Sequence, residues 1–240
     1  MVTLVTVADG TVRVLDGAAF DMPLGGTVMD LALNEDGSKL FCLSGDAIYS
    51  LREYDLKETT AVMLDPDVLV EGAIEYRDGY LYYCDVSDEA EAVLRTKTET
   101  NEEEVLVRGA VFTLSPDGRY LAYLTEEYDT AVKNLNITDL TTMASVTVAK
   151  DVMTDEFFFD ADNGSLYYIP QTDDEEFYYQ IVRFDMAQEK TEILAQSVNA
   201  VFFASDKANE IIVCVMYQNG ETASPATYLA DFTAIFSDGS

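Results

Sequence analysis

The chain has 240 residues, with 45 Asp and Glu against 14 Lys and Arg, a formal net charge of -31, and neither histidine nor tryptophan. That charge argues against nucleic acid and anionic membrane surfaces as partners, because phosphate binding needs a basic footprint. Without imidazole there is no Ser-His-Asp or Cys-His nucleophile, no His-ligated zinc and no histidine proton switch.

A hydrophobic content of 48% with 11% aromatic residues is too rich for a disordered chain. The length suits one large domain, read here as 1–240, with an excised piece of a longer chain as the alternative. No apolar run approaches the roughly 20 residues that span a bilayer. The segment from Met1 to Gly10 lacks a basic n-region and alternates like a strand, so it does not read as a signal peptide.

In chain order, Val2–Ala8, Thr11–Leu15 and Ala18–Met22 read as three strands that lack a fourth in front of them. From there a four-strand grammar repeats. Strand a (Val28–Leu33) runs into Asn34-Glu35-Asp36-Gly37, strand b is Lys39–Leu43, strand c ends in Tyr54-Asp55-Leu56, and strand d is Thr60–Leu64. The second repeat has Gly72–Tyr76, Arg77-Asp78-Gly79, Tyr80–Cys84 and a closing Val105–Val107. The third has Ala110–Leu114, Ser115-Pro116-Asp117-Gly118, Tyr120–Leu124, a strand ending in Thr138-Asp139-Leu140, and Ser145–Ala149. The fourth has Glu156–Phe159, Asp162-Asn163-Gly164, Ser165–Ile169, an ending in Phe184-Asp185-Met186, and Glu192–Leu194. The fifth has Ala200–Ala204, a degenerate turn from Ser205 to Asn209, Glu210–Met216 and an ending in Ala230-Asp231-Phe232. Thr233–Phe236 completes either this unit or the N-terminal one.

The turn aspartates at 36, 78, 117, 162 and 206 are 42, 39, 45 and 44 residues apart. The strands are rich in Val, Tyr, Phe, Ile and Thr, no segment has a convincing helical period, and the Asp that ends strand c can bond backbone amides two residues on. A four-stranded antiparallel unit at this period predicts an all-β fold, a β-propeller of six blades made of five full repeats plus the terminal remnants. A β-sandwich, the runner-up, would not require a constant four-strand period.

The run Val111-Phe112-Thr113-Leu114-Ser115-Pro116-Asp117-Gly118-Arg119-Tyr120-Leu121-Ala122-Tyr123-Leu124-Thr125, followed by Asn134-Leu135-Asn136-Ile137-Thr138-Asp139-Leu140, resembles the repeat of TolB-type, WD-like bacterial propellers. The other repeats keep only Asp-Gly or Asn-Gly. The resemblance implies a binding platform or sensor rather than one fixed enzyme, and a fold does not by itself transfer a function.

Cys42, Cys84 and Cys214 each fall five residues after the turn position, in one strand b slot that Tyr123 and Ile169 fill elsewhere. Equivalent slots in separate blades, an odd count and no CxxC spacing predict three structural thiols without disulfides. Asp160-Ala161-Asp162-Asn163-Gly164 suggests a calcium loop but departs from it, since the glycine comes one position early and Gln171 stands where the closing Glu belongs. No metal site and no cofactor is predicted, and Ca²⁺ stays a minor alternative. The sequons at Asn136 and Asn163 would matter only in a eukaryotic secretory setting.

In a propeller the b–c and d–a connections leave one face, and the a–b and c–d turns the other. The b–c loops carry Asp85, Asp88, Glu89 and Glu91 in the second repeat, Glu126, Glu127, Tyr128 and Asp129 in the third, Asp173, Asp174, Glu175, Glu176, Phe177 and Tyr178 in the fourth, and Glu221 in the fifth. The functional reading is an acidic, tyrosine-bearing face for a protein or peptide, and a cationic one by charge. The plain reading is solvated loop charge that keeps a β-rich protein soluble. The expected function is accordingly a non-catalytic binding or scaffold propeller, as an extracytoplasmic domain of a bacterial protein. The alternative is a carbohydrate-active hydrolase with two channel carboxylates. Adaptation to high salt is a third origin for the acidity.

Overall fold

A computed structural model describes residues 2–5, 12–15, 27–45, 49–68, 74–85, 92–126, 133–162, 164–170, 179–198, 200–204, 210–217 and 224–231. These residues form strands and turns, and no helix among them is long and apolar enough to cross a membrane. The chain divides into two compact units, 1–110 and 111–240.

The first unit begins with a two-stranded ladder, β1 (Val2–Val5) against β2 (Val12–Leu15). The predicted strand Ala18–Met22 lies outside the described residues. The first full repeat is the meander β3 (Thr27–Leu33), β4 (Lys39–Gly45), β5 (Tyr49–Asp55) and β6 (Thr60–Val68). The second is β7 (Glu75–Arg77), β8 (Tyr80–Asp85), β9 (Ala92–Lys97) and β10 (Glu102–Arg108). Both are antiparallel with neighbours in chain order, as the repeat predicts.

The second unit holds β11 (Ala110–Leu114, its first residue closing the first unit), β12 (Tyr120–Glu126), β13 (Lys133–Asp139), β14 (Ala144–Phe159), β15 (Ser165–Pro170), β16 (Tyr179–Asp185) and β17 (Lys190–Val198) in one seven-stranded sheet. Here the structure departs from the predicted division. Strand d of the third repeat and strand a of the fourth are one 16-residue strand, β14. Its first part pairs with β13 and its last part with β15, and Val152 pairs with both Lys133 and Pro170. No glycine or proline interrupts 144–159, so nothing in the backbone forces a break. The three strands β18 (Ala200–Ala204), β19 (Glu210–Tyr217) and β20 (Ser224–Asp231) give the fifth repeat, and Thr233–Phe236 lies outside the described residues.

Burial follows strand position. The b strands are apolar on both faces because each is sandwiched, and Leu40, Phe41, Cys42, Leu43 and Ser44 are buried in succession, as are Ser165 to Ile169. Strand β10, at the edge, is exposed from Glu102 to Val105. In the first unit Phe41, Leu43, Leu51, Leu81, Tyr83 and Leu94 form one cluster shared by the two repeats. In the second unit Leu124, Leu135, Ile137, Phe157, Leu166 and Phe184 join the third and fourth repeats. The shared strand b slot is a core position: Cys42, Cys84, Tyr123 and Ile169 are all buried there. Burial pushes the Cys42 thiol up, which suits a structural thiol. The side chain of Cys214 lies outside the described residues.

Candidate functional site

The a–b turns are built from two solutions. In the second repeat Arg77 pairs with Tyr80 across a two-residue loop, and Asp78 and Gly79 both have positive φ (50° and 82°), the pattern of a type I′ hairpin. In the first, third and fourth repeats a side chain closes a longer loop. Asn34 Oδ1 accepts the Lys39 N–H at 2.8 Å, Ser115 Oγ accepts the Tyr120 N–H at 2.9 Å, and Asp160 Oδ1 accepts those of Gly164 and Ser165 at 2.8 and 3.1 Å. The Asp of the Asp-Gly pair in the first and third repeats adds a second acceptor, with Asp36 Oδ1 receiving the Ser38 N–H and Asp117 Oδ1 that of Arg119. Hydrogen bonds from Ser38, side chain before backbone, hold the Asp36 carboxyl far below the usual range.

The c–d turns of the first, third and fourth repeats use the aspartate that ends strand c. Asp55 Oδ1 accepts N–H bonds from Lys57 and Glu58, Asp139 Oδ1 from Thr141 and Thr142, and Asp185 Oδ1 from Ala187 and Gln188. One residue of each turn is left-handed: Thr59, Asn101, Met143 and Glu189 have φ of 60°, 54°, 57° and 52°. A recurrent bond ties the c–d turn to the a–b turn, from Leu56 N–H to Ser38, Thr98 to Gly79, Leu140 to Arg119 and Met186 to Gly164. The turn aspartates Asp36, Asp55, Asp117, Asp139, Asp160 and Asp185 are therefore occupied as backbone acceptors. That covers the calcium candidate: the Asp160 carboxylate is buried, its pKa is raised by that burial, and its Oδ1 is spent on the turn. The Asn136 sequon is likewise internal, its amide donating to Thr125 Oγ1 while its carbonyl accepts from Thr147 Oγ1.

The predicted acidic face falls on other residues. Asp88, Glu89, Glu127, Tyr128, Asp129, Asp173, Asp174, Glu175, Glu176, Phe177 and Tyr178 lie outside the described residues, and Glu126 is the last residue of β12 with its side chain outside them. The strands they join, β8 to β9, β12 to β13 and β15 to β16, are antiparallel neighbours. The two catalytic carboxylates of a hydrolase are not apparent among the buried acids described: Glu53 is paired with Lys39 at 2.7 Å, and Asp160 serves its turn.

One concave feature in the second unit was not foreseen. A cleft of about 310 Å³ lies between β12–β14 of the third repeat and the end of β16 in the fourth. Its apolar wall is Ile137, Val146, Phe184 and Met186, and its polar edge includes Tyr120, Asp139 and Glu189. At this edge the Arg119 guanidinium stands 4.8 Å from the Tyr120 ring centre and donates to Asp139 Oδ2 from Nε (3.1 Å) and Nη2 (2.8 Å). The Arg119 guanidinium holds the Asp139 carboxyl below the usual carboxylate range. The sequence marks Asp139 as a turn residue, but no local signal marks a cleft whose walls come from two repeats.

No protein-family model matches the sequence, and no curated protein matches it. Solved structures do. An oligogalacturonate lyase, in complex with manganese, aligns at a TM-score of 0.68 and 13% identity over 95% of this chain and 70% of the lyase. TolB from Acinetobacter baumannii aligns at 0.60 and 11% identity over 86% of this chain and 53% of TolB. The β-propeller domain of the Trilobed protease from Pyrococcus furiosus aligns at 0.50 and 12% identity over 85% of this chain and 53% of that one. The chain thus has a β-propeller fold of the TolB-like kind, and it spans about half the length of the TolB and protease chains. At these identities the likeness is one of fold.

Proposed function

We propose that this protein is a non-catalytic propeller that binds a protein or peptide through the acidic, tyrosine-bearing b–c loops. The observation that carries the reading is the contrast between the two ends of the sheets. At the a–b and c–d end, Asp36, Asp55, Asp117, Asp139, Asp160 and Asp185 are consumed as acceptors of turn N–H groups. The b–c segments carry Asp88, Glu89, Glu126, Glu127, Asp129 and Asp173 to Glu176 without the Asp-Gly turn pattern that explains those at the other end. Tyr128, Phe177 and Tyr178 among them supply the rigid apolar area that protein interfaces favour. The TolB-like fold supports a binding platform. We place the chain as one propeller domain, outside the cytoplasm of a bacterium, in keeping with that likeness.

A labelled lysine-rich peptide, with a glutamate-rich peptide as control, tests the reading by fluorescence anisotropy. Binding of the lysine-rich peptide should weaken as salt rises, because exposed charges are screened. The combined change of Asp173 and Asp174 to Asn with Glu175 and Glu176 to Gln should weaken it further. Salt-independent binding unaffected by the four changes would overturn the proposal.

A further inference from the structure

The cleft between the third and fourth repeats has its own chemistry, and it stands apart from the b–c loops. We propose that it receives the side chain of a lysine presented by a peptide, with the aliphatic stem along the apolar wall and the ammonium at Glu189. A volume of about 310 Å³ sits at the bottom of the usual range for ligand pockets, roughly 300–1,000 Å³, and suits one long side chain better than a metabolite.

The wall supplies what a lysine stem needs. Ile137 and Phe184 are buried beneath the cleft, while Val146 on its flank is 42% exposed, so apolar surface is left facing open space. The edge supplies what an ammonium needs. Arg119 already rests there on an aromatic face and on the Asp139 carboxylate, so these two charges balance each other. Asp139 is saturated, with Oδ2 on Arg119 and Oδ1 on two backbone N–H groups. Glu189 is different. Among the described residues its side chain has no hydrogen-bond or ion-pair partner, and the residue belongs to the lining. The four-carbon stem of lysine suits the apolar wall, and its compact ammonium needs no more than one carboxylate. Thr142 and Ser145 belong to the same lining; their hydroxyls are engaged by the Ala144 N–H and by Thr138 Oγ1, and each keeps one further acceptor site. An anionic ligand would face Glu189 and the net charge of -31.

The test uses the whole chain with ¹³C-labelled methionine methyl groups, since Met186 lines the cleft and the remaining methionines serve as internal controls. The probe is N-acetyl-Ala-Lys-Ala-amide, compared with the same peptide carrying norleucine or glutamate in place of lysine. The lysine peptide should shift the Met186 methyl saturably, and the other two should not. Glu189→Gln, at an exposed turn position, should weaken the lysine peptide about threefold, the scale of one exposed charge pair. Ala144→Leu, also exposed, should fill the cleft and abolish the shift. Neutralising Asp173 to Glu176 should leave it unchanged, which separates this site from the loop face. A Met186 methyl that ignores the lysine peptide overturns the proposal, as does one that responds equally to norleucine or to the Glu189→Gln protein.

Discussion

The carboxylate of Asp30 accepts a 2.7 Å hydrogen bond from the backbone N–H of Ile74, 44 residues further along the chain. Its other oxygen accepts the Leu31 N–H at 2.8 Å. The ladder register shifts between Val28 and Asp30, a bulge that re-aims side chains out of the strand's alternation. The bond ties β3 of the first repeat to the entrance of β7 in the second. Ile74 is buried, so its N–H has no ready substitute in water. Asp30→Ala should cost about 2 kcal/mol in urea unfolding, the scale of a lost bond to a charged acceptor, and Asp30→Asn about half of that. Native-state hydrogen exchange reports the same bond locally, with the Ile74 amide losing protection in the Ala protein. Equal stability of the Ala protein and the parent would show that the bond contributes nothing.

Asp160 occupies the turn slot that Asn34 and Ser115 fill in other repeats. Burial raises its pKa, so the fold favours the protonated form. The stability tied to that proton is complete below the unfolded value of about 4, and is lost as pH rises through the folded value. At neutral pH the ionised carboxylate is a liability that a neutral acceptor would lack. Asp160→Asn should therefore raise Tm near pH 7 and have little effect near pH 3. A variant less stable than the parent at neutral pH would mean that the two N–H bonds need the full negative charge.

These turns also show how much of the molecule can be read from its sequence. Asp-Gly and the terminal Asp of strand c are local signals whose physics acts within five residues, so the strand borders at Lys39, Tyr80, Ala110 and Tyr120 coincide with prediction. The cysteine slot is legible for the same reason, because a fixed offset from a turn sets which face a side chain joins. The fusion into β14 is not legible. Lys150, Asp151 and Asp155 read as a polar gap, while the continuity of the strand rests on Val152 pairing with both Lys133 and Pro170. The cleft is hidden likewise, since Tyr120 and Glu189 meet only when two repeats pack. The acidic b–c loops are legible as composition and spacing, which motivates a face without fixing its geometry.

The left-handed residues of the c–d turns give a graded prediction. Thr59 is β-branched at φ 60°, Met143 is unbranched at 57°, and Asn101 is at 54°. Side chains clash in this region most when branched and least for Asn, and Gly is free of the clash. The N–H groups of all three donate to strand c carbonyls, a bond glycine preserves. Thr59→Gly should stabilise most, by about 1 kcal/mol, Met143→Gly less, and Asn101→Gly hardly at all. Urea midpoints at constant m-value would rank them, and a loss of stability at Thr59 would show that its side chain holds more than its backbone conformation costs.

Tyr168 lies in the core shared by the third and fourth repeats, and burial pushes its phenol up to about 12. An exposed tyrosine titrates near 10, so the fold favours the neutral phenol. That contribution is complete below about pH 10 and is lost as pH rises through about 12. Tyr83 in the first unit and Tyr167 in the second are displaced upward by burial as well, which makes alkali a threat to buried tyrosines of both units. Tyr168→Phe keeps the ring and removes the ionisable proton. The variant should lose stability less steeply than the parent between about pH 10 and 12. It should also remove one late component from the phenolate absorbance titration near 295 nm, a readout that packing changes alone would not move. If both proteins lose Tm with the same alkaline slope, the ionisation of Tyr168 is not what limits the fold in base.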